Sequence, residues 1–123
     1  MALALDMMKG GTSAGQAKAL NGQAATAITA GTTQTQAGAT ALTVSINVVT
    51  TVAVAGDGVR APDGDIGDSL DILNLGANSL EVYPPTGGRI NQLSTNTGFA
   101  LAPSTACTLK KFTSTRWIAF LSA

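Results

Sequence analysis

Hydrophobic and polar residues alternate along most of the chain from Ala39 onward, and this period of two is typical of half-buried β-strands. In the clearest run, Leu80 and Val82 fall on one face while Glu81 and Tyr83 fall on the other. Short runs of this kind, separated by glycine, proline and aspartate turns, recur about eight times. The pattern therefore predicts an all-β domain over residues 39–123, built as an antiparallel sandwich or a jelly-roll-like barrel.

The segment from Asn74 to Asn91 predicts how consecutive strands connect. Gly76, Ala77 and Asn78 are typical of a tight hairpin loop, because glycine and asparagine tolerate the positive φ angles that such loops need. Two prolines and two glycines between positions 84 and 88 are typical of a second turn. We therefore expect three consecutive antiparallel strands here, which form a β-meander.

The first and last runs of the domain predict two further strands. In the first, Leu42, Val44 and Ile46 are expected to share one face. The last run, from Arg116 to Leu121, is apolar on both of its faces. We expect this last strand to lie in the centre of the sheet, or at an edge that another subunit covers.

Residues 1–38 have a different composition, dominated by Ala, Gly, Thr and Gln. Six glycines interrupt every longer helical candidate, and each costs about 1 kcal/mol in a helix interior. The segment also lacks the periodic apolar residues that would give it a core of its own. Two interpretations remain open: a disordered tail, or an N-terminal arm that becomes ordered on a partner. Small side chains favour the arm, because they let a backbone lie close to another surface at little entropic cost.

Charge is scarce and balanced. Charged residues make up 11% of the chain, against roughly 25% in an average domain, and seven Lys and Arg balance seven Asp and Glu. A net charge of zero weakens the repulsion between molecules, which favours assembly, and it predicts no nucleic-acid partner. No apolar run approaches the roughly 18 residues that a membrane span needs, so no membrane partner is predicted either.

The residue types needed for catalysis are few. The chain has no histidine, which removes the commonest general base and the commonest zinc ligand. Cys107 alternates inward with Leu109 and is expected to be a small core side chain. The acidic residues between Asp57 and Asp71 lack the spacing of a calcium-binding hand and are typical of turns. We therefore expect no enzymatic activity, no cofactor and no bound metal.

A basic cluster precedes the last strand, and it has two interpretations. One is a hairpin turn flanked by charges that keep the chain in solution; the other is a patch that pairs with the acidic segment from Asp57 to Asp71 of another subunit. The adjoining apolar strand favours a contact surface. The predicted interface residues are Lys110, Lys111, Arg116, Trp117, Ile118 and Phe120.

Several short motifs resemble a recurring signature of small β-rich virion proteins of tailed bacteriophages. They are Gly67-Asp68 before a strand, Asn74-x-Gly76, Leu80-x-Val82-Tyr83-Pro84, Gly88-x-Ile90-Asn91 and the late Trp117. The likeness covers residues 39–123 and is greatest to capsid decoration, or cement, proteins. It implies a homo-oligomer, often a trimer, that binds the major capsid protein on the capsid exterior and ties neighbouring capsomers together after assembly in the bacterial cytoplasm.

Two other functions fit a compact β domain without catalytic residues. One is a head-fibre or tail-associated module that binds a host receptor through an exposed aromatic tip. The other is a carbohydrate-binding domain, for which only Tyr83 and Trp117 are expected to stack on a sugar.

Overall fold

The computed structural model describes residues 23–122, and within this range the chain forms ten β-strands and no helix. The strands are β1 (Ala24–Thr29), β2 (Thr40–Ala41), β3 (Ile46–Thr51), β4 (Gly58–Arg60), β5 (Ser69–Asn74), β6 (Leu80–Tyr83), β7 (Arg89–Ile90), β8 (Phe99–Leu101), β9 (Thr105–Lys111) and β10 (Arg116–Leu121). The prediction of an all-β domain is therefore confirmed for this part of the chain.

The chain winds as a β-solenoid of about four turns. Strands β1, β3 and β5 lie side by side and parallel in a longer sheet, while β2, β4 and β6 do the same in a shorter sheet. Ala24 lies beside Ile46, and Ile46 lies beside Asp71, so successive turns take 22 and 25 residues. Each turn thus contributes one strand to each sheet.

The last part of the chain departs from this simple winding. Strand β7 runs in the same direction as β5 but is separated from it by two strands. The antiparallel hairpin of β9 and β10 fills that gap, and β8 pairs antiparallel with β6. The longer sheet therefore has the order β1-β3-β5-β9-β10-β7, and the shorter sheet has the order β2-β4-β6-β8.

The hydrophobic core lies between the two sheets. Strands of the longer sheet contribute Leu70, Ile72 and Trp117, and strand β6 of the shorter sheet contributes Leu80 and Val82. All five side chains are fully buried. Burial of a side chain of this size contributes about 1.5–3 kcal/mol, so a short chain with few charges is held mainly by this layer.

The predicted antiparallel sandwich or jelly-roll-like barrel is wrong. The alternation that predicted a strand at Leu80 and Val82 is confirmed, because both residues are buried in β6. However, parallel and antiparallel strands share the same period of two, so alternation alone does not determine which strands are neighbours. Among β1 to β6 the parallel neighbours come from successive turns, 19 to 25 residues apart.

The predicted β-meander is also wrong, because β5 and β6 belong to different sheets. The segment that was expected to form their hairpin loop is a corner of the solenoid. Here the side-chain amide of Asn78 donates to the backbone carbonyls of Val52, at 2.8 Å, and Ala53, at 3.1 Å, in the preceding turn. Gly76 packs so closely on Val52 that a Cβ atom would lie 2.7 Å from its side chain. Glycine and asparagine therefore join two turns here.

In the first strand of the predicted domain, the side chains face the opposite sides of the sheet from those expected. Ile46 was expected to face inward with Leu42, yet its side chain is 45% exposed, while Leu42 is buried before β3 begins. The inward positions of β3 are Asn47 and Val49. The buried Asn47 amide donates to the carbonyls of Val44, at 2.9 Å, and Asp71, at 3.2 Å. A polar residue thus occupies a core position that a hydrophobic pattern does not reveal.

Part of the predicted N-terminal arm belongs to the solenoid. Residues 1–22 of that arm lie outside the described residues. The following strand, β1, pairs in parallel with β3 of the same chain, and its Ile28 packs against the core. Two backbone hydrogen bonds, of 2.9 and 3.0 Å, then join Gly31 to Gly58. The segment from 24 to 31 therefore finds its neighbours within its own chain.

Candidate interaction surface

The side chains that point away from the core on the longer sheet form a broad surface, which we call the outer face. Its rows follow the strand register, because directly opposed residues in a sheet share a side. One row is Ile46, Asp71, Thr108 and Phe120; the next is Val48, Leu73 and Ala106; a third contains Ser69, Lys110 and Ile118. Four adjacent strands therefore present one continuous surface.

Large apolar side chains stand exposed on the outer face. Phe120 is 53% exposed, Ile46 is 45% exposed and Ile118 is 38% exposed. From the typical areas of such side chains, these three alone expose roughly 300 Å² of apolar surface, the size of the largest patch on many monomers. Asp71 and Thr108 lie between Ile46 and Phe120 in the same row, and half-buried Val48 and Leu73 add apolar surface in the neighbouring row. The largest apolar patch on a protein is often functional, so the outer face is the candidate contact surface.

A hydrogen bond fixes the acidic residue of the outer face. The hydroxyl of Thr108 donates to the Asp71 carboxylate over 2.6 Å, between strands β9 and β5. Behind this pair, Cys107 is buried in the core, as predicted. Burial, and secondarily the charge of Asp71, raises the pKa of the Cys107 thiol to about 12. The thiol is therefore protonated at neutral pH.

The structure divides the predicted interface residues between two sides of the sheet. Lys110, Arg116, Ile118 and Phe120 occupy outward positions. Trp117 and Lys111 point inward instead and are buried. The division follows from the strand period of two, since neighbouring residues of a strand face opposite sides.

On the core side of the longer sheet, Lys111 and Trp117 lie in contact with each other. The Lys111 ammonium donates to the backbone carbonyls of Asp63, at 2.6 Å, and Gly64, at 2.9 Å. It also lies 5.9 Å from the centroid of the Trp117 ring, within the range of a cation–π interaction. Lys111 therefore holds the loop before β5 against the core.

Local patterns in the sequence do not reveal several residues of the outer face. Ile46 was assigned to the wrong side, and Leu73 and Ala106 join the surface only because β5 pairs with β9. Arg89 is not among the predicted interface residues, and it is the register partner of Arg116 across the parallel β7–β10 pair. These contacts depend on long-range pairing, and nothing in the local sequence indicates them. A further exposed aromatic residue, Phe112, lies at the end of β9 and was visible in the sequence only as a neighbour of the basic cluster.

Two further acidic residues, Asp57 and Asp68, hold loops in place. Buried Asp57 accepts hydrogen bonds from the Gln34 side-chain amide and from the Val54 backbone N–H. Asp68 accepts a 2.6 Å hydrogen bond from the N–H of Asp65, which closes a turn. Among residues 23–122, no group of three or more His, Cys, Asp or Glu is arranged to hold a metal ion. Asp57 and Asp68 therefore have structural roles.

Comparison with known proteins does not assign a family. No family model matches the chain, and no curated protein matches it. Across the described part of the chain, no helix has the length and hydropathy to span a membrane. A function is therefore proposed from the outer face together with the motifs in the sequence.

Proposed function

We propose that the chain is a structural protein of a bacteriophage head, which assembles as a homo-oligomer, expected to be a trimer, and decorates the capsid exterior. The observation that carries the proposal is the outer face, where Ile46, Ile118 and Phe120 are exposed in adjacent rows. A monomer would keep this apolar surface in water, whereas sister subunits would cover it. The motifs of residues 39–123 that resemble decoration proteins support the phage head as the location.

The proposed mechanism is thermodynamic. A protein that binds the assembled shell, and not its separate subunits, stabilises the shell by mass action, by about 2.7 kcal/mol at a free concentration 100 times its Kd. An oligomer that contacts several capsomers at once gains further affinity from multivalency. Because sister subunits occupy the outer face, contact with the major capsid protein falls to another part of the chain. Residues 1–22, which are rich in small side chains, are our candidate for that contact.

The self-assembly is tested first on the purified chain. Light scattering should give the mass of an oligomer at micromolar concentration, and a stable monomer would contradict the proposal. The variant Phe120→Ser should weaken assembly by about 1–3 kcal/mol per subunit, because it removes apolar area at the contact. Val54→Ser is the matched control, since Val54 is 58% exposed but lies in a corner outside the outer face. It should leave the mass unchanged.

Capsid decoration is tested on heads from a phage that encodes the chain, after deletion of its gene. Added wild-type protein should bind these heads and raise the temperature at which the shell comes apart. Failure to bind would contradict decoration. A gold label found on the tail or on head fibres would support the receptor-binding alternative, and binding of the free chain to a glycan array would support the carbohydrate-binding alternative.

A further inference from the structure

A cluster of polar side chains lies on the outward side of the shorter sheet, which points away from the outer face because the core separates the two sheets. Leu80 and Val82 of β6 are buried in that core, so Glu81 and Tyr83 of the same strand point outward. On β4, Arg60 is the register partner of Tyr83 and therefore lies on the same side. An aromatic ring, a carboxylate and a guanidinium thus share one sheet surface, and we call these three side chains the Tyr83 cluster.

Small residues surround the Tyr83 cluster. Glu81 has Gly58 as its register partner on β4 and Ala100 as its partner on β8. One edge of the Tyr83 ring lies against Gly58, where an added Cβ atom would be 2.7 Å from the ring carbon Cε2. The Glu81 side chain leans the other way, toward Gly98, where an added Cβ atom would be 3.0 Å from its Oε2. The ring and the carboxylate are therefore held apart above a floor of small residues, which leaves room for a ligand to approach the backbone.

The polar groups of the Tyr83 cluster have hydrogen-bonding capacity to spare. Burial raises the pKa of the Glu81 carboxyl, and among residues 23–122 no donor binds this carboxyl in a way that would lower its pKa again. Burial, and secondarily the charge of Glu81, raises the pKa of the Tyr83 hydroxyl, which is therefore a donor at neutral pH. The Arg60 guanidinium donates from Nη1 to the carbonyl of Gln36 at 2.9 Å, which uses only one of its several N–H groups. The cluster thus presents both donors and an acceptor.

The charges of the Tyr83 cluster favour a neutral ligand. Arg60 and Glu81 carry opposite charges, so a strongly charged ligand would be attracted by one and repelled by the other. A ligand rich in hydroxyl groups supplies donors for the carboxylate and acceptors for the guanidinium. Arg60 also lines an open cleft of about 480 Å³, which reaches Pro85 and Thr86 beyond the end of β6. A cleft of this volume is large enough for a small-molecule ligand.

We infer that the Tyr83 cluster binds a neutral glycan, in which the C–H face of one sugar stacks on the Tyr83 ring while its hydroxyl groups bind Glu81 and Arg60. Of the two aromatic residues that the sequence offered for stacking on a sugar, Trp117 is buried in the core, and Tyr83 is the one on the surface. Because the ring is fixed against the sheet, little side-chain entropy is lost when a sugar binds. This side of the molecule stays accessible when sister subunits cover the outer face.

Glycan binding is measured on the purified full chain with an array of neutral and anionic oligosaccharides. Calorimetric titration follows, with the neutral oligosaccharide that gives the strongest signal, and its Kd should be below about 1 mM. Tyr83→Ala should weaken binding at least about tenfold, and Glu81→Gln about threefold or more, because they remove the stacking surface and the charged acceptor. Phe112→Ala is the matched control, since Phe112 is a 48% exposed aromatic residue that follows β9 of the longer sheet. Its replacement should leave the Kd unchanged.

A second variant covers the case in which Tyr83→Ala lowers the melting temperature. Ala100 is exposed and lies beside Glu81 on the floor of the site. The longer side chain of Ala100→Gln would occupy this floor and leave the Tyr83 ring in place. It should weaken binding by about tenfold through steric exclusion of the sugar.

Three results would overturn the inference: no neutral oligosaccharide bound at ~1 mM, binding of anionic oligosaccharides alone, or an affinity that neither Tyr83→Ala nor Ala100→Gln changes. An equal loss of affinity in Phe112→Ala would also overturn it, because binding would then not be specific to the shorter sheet. Light scattering and the experiment with phage heads measure assembly and decoration. A failure of either leaves the glycan site standing, and a failure of the glycan site leaves the proposed function standing.

Discussion

The change Lys111→Met separates fold stability from assembly in a cluster that the sequence presents as one basic patch. Methionine has nearly the length of lysine but cannot donate a hydrogen bond. The substitution therefore removes the ammonium that binds the carbonyls of Asp63 and Gly64 and lies over the Trp117 ring. The remaining side chain still fills the space beside the ring.

The expected loss of stability comes from opposing contributions. A hydrogen bond from a charged donor contributes about 1.5–3 kcal/mol, and the cation–π contact adds about 0.5–1 kcal/mol. Against this, methionine removes the cost of keeping an ammonium largely out of water. Asp63 is exposed, so water can replace part of the lost hydrogen bonding to its carbonyl. We expect a net loss of about 1–3 kcal/mol in the free energy of unfolding.

Urea denaturation followed by tryptophan fluorescence measures this loss, because Trp117 is the only tryptophan in the chain. Lys110→Met is the matched control: Lys110 is the next residue, exposed on the outer face, and its replacement should change stability by less than about 0.5 kcal/mol. Light scattering of both variants completes the assay. The reasoning is refuted if Lys111→Met is as stable as wild type, or if it changes the oligomer mass while stability is unaffected.

Three further predictions follow from buried or paired groups. Asp57→Ala should cost about 1–3 kcal/mol of unfolding free energy, since it leaves the Val54 N–H without its acceptor and removes one of the two acceptors of the Gln34 amide. Urea denaturation measures the cost, and no loss would contradict that role. Burial raises the pKa of the Cys107 thiol from 9.0 to about 12, so Cys107 should not react with a thiol reagent at pH ~9.5 until the chain is unfolded, and rapid labelling of the folded chain would contradict this. Because the folded chain has the higher pKa, the stability that is present below about pH 9 should be lost as the pH rises toward 12. A chain that starts at Gln23 should be as stable as the full chain. A chain that starts at Ala39 lacks β1 and the packing of Ile28, so its free energy of unfolding should be lower by about 2 kcal/mol or more in thermal or urea unfolding. Equal stability of the two shortened chains would show that β1 contributes nothing.

Local patterns in the sequence were sufficient to locate strands. Alternation marked β6, a run of apolar residues marked β10, and the inward position of Cys107 followed from its spacing to Leu109. These features depend only on the geometry of a single strand, in which neighbouring side chains face opposite sides. The strand content is for that reason the part of the fold that the sequence predicted well.

Long-range pairing was the part that local patterns could not supply. The glycine and asparagine at positions 76 and 78 suit a tight hairpin and a solenoid corner equally well, because both need small residues and side chains that satisfy free carbonyls. What distinguishes the two is where the hydrogen bonds go. Asn78 binds the carbonyls of Val52 and Ala53, more than twenty residues earlier, and that contact exists only once two turns are stacked.

The candidate surface shows the same limit. Phe120 and Ile118 were predicted as interface residues from their own strand, and they do occupy outward positions. Ile46 could not be added to them, because the buried polar Asn47 shifts the inward and outward positions of β3 relative to a hydrophobic pattern. Arg89 could not be joined to Arg116 without knowing that β7 and β10 are parallel neighbours.

The hairpin of β9 and β10 connects the stability of this fold with its candidate surface. Its inward positions, which include Leu109, Lys111 and Trp117, complete the core and hold the loop before β5. Its outward positions supply Phe120 and Ile118 to the outer face, which the parallel turns alone would leave without an aromatic residue. These two sets alternate along the same strands. Substitutions at inward positions should therefore change mainly the free energy of unfolding, and substitutions at outward positions should change mainly the free energy of association. If this protein assembles as proposed, selection on the contacts between subunits is free to change the outward set while the inward set preserves the solenoid.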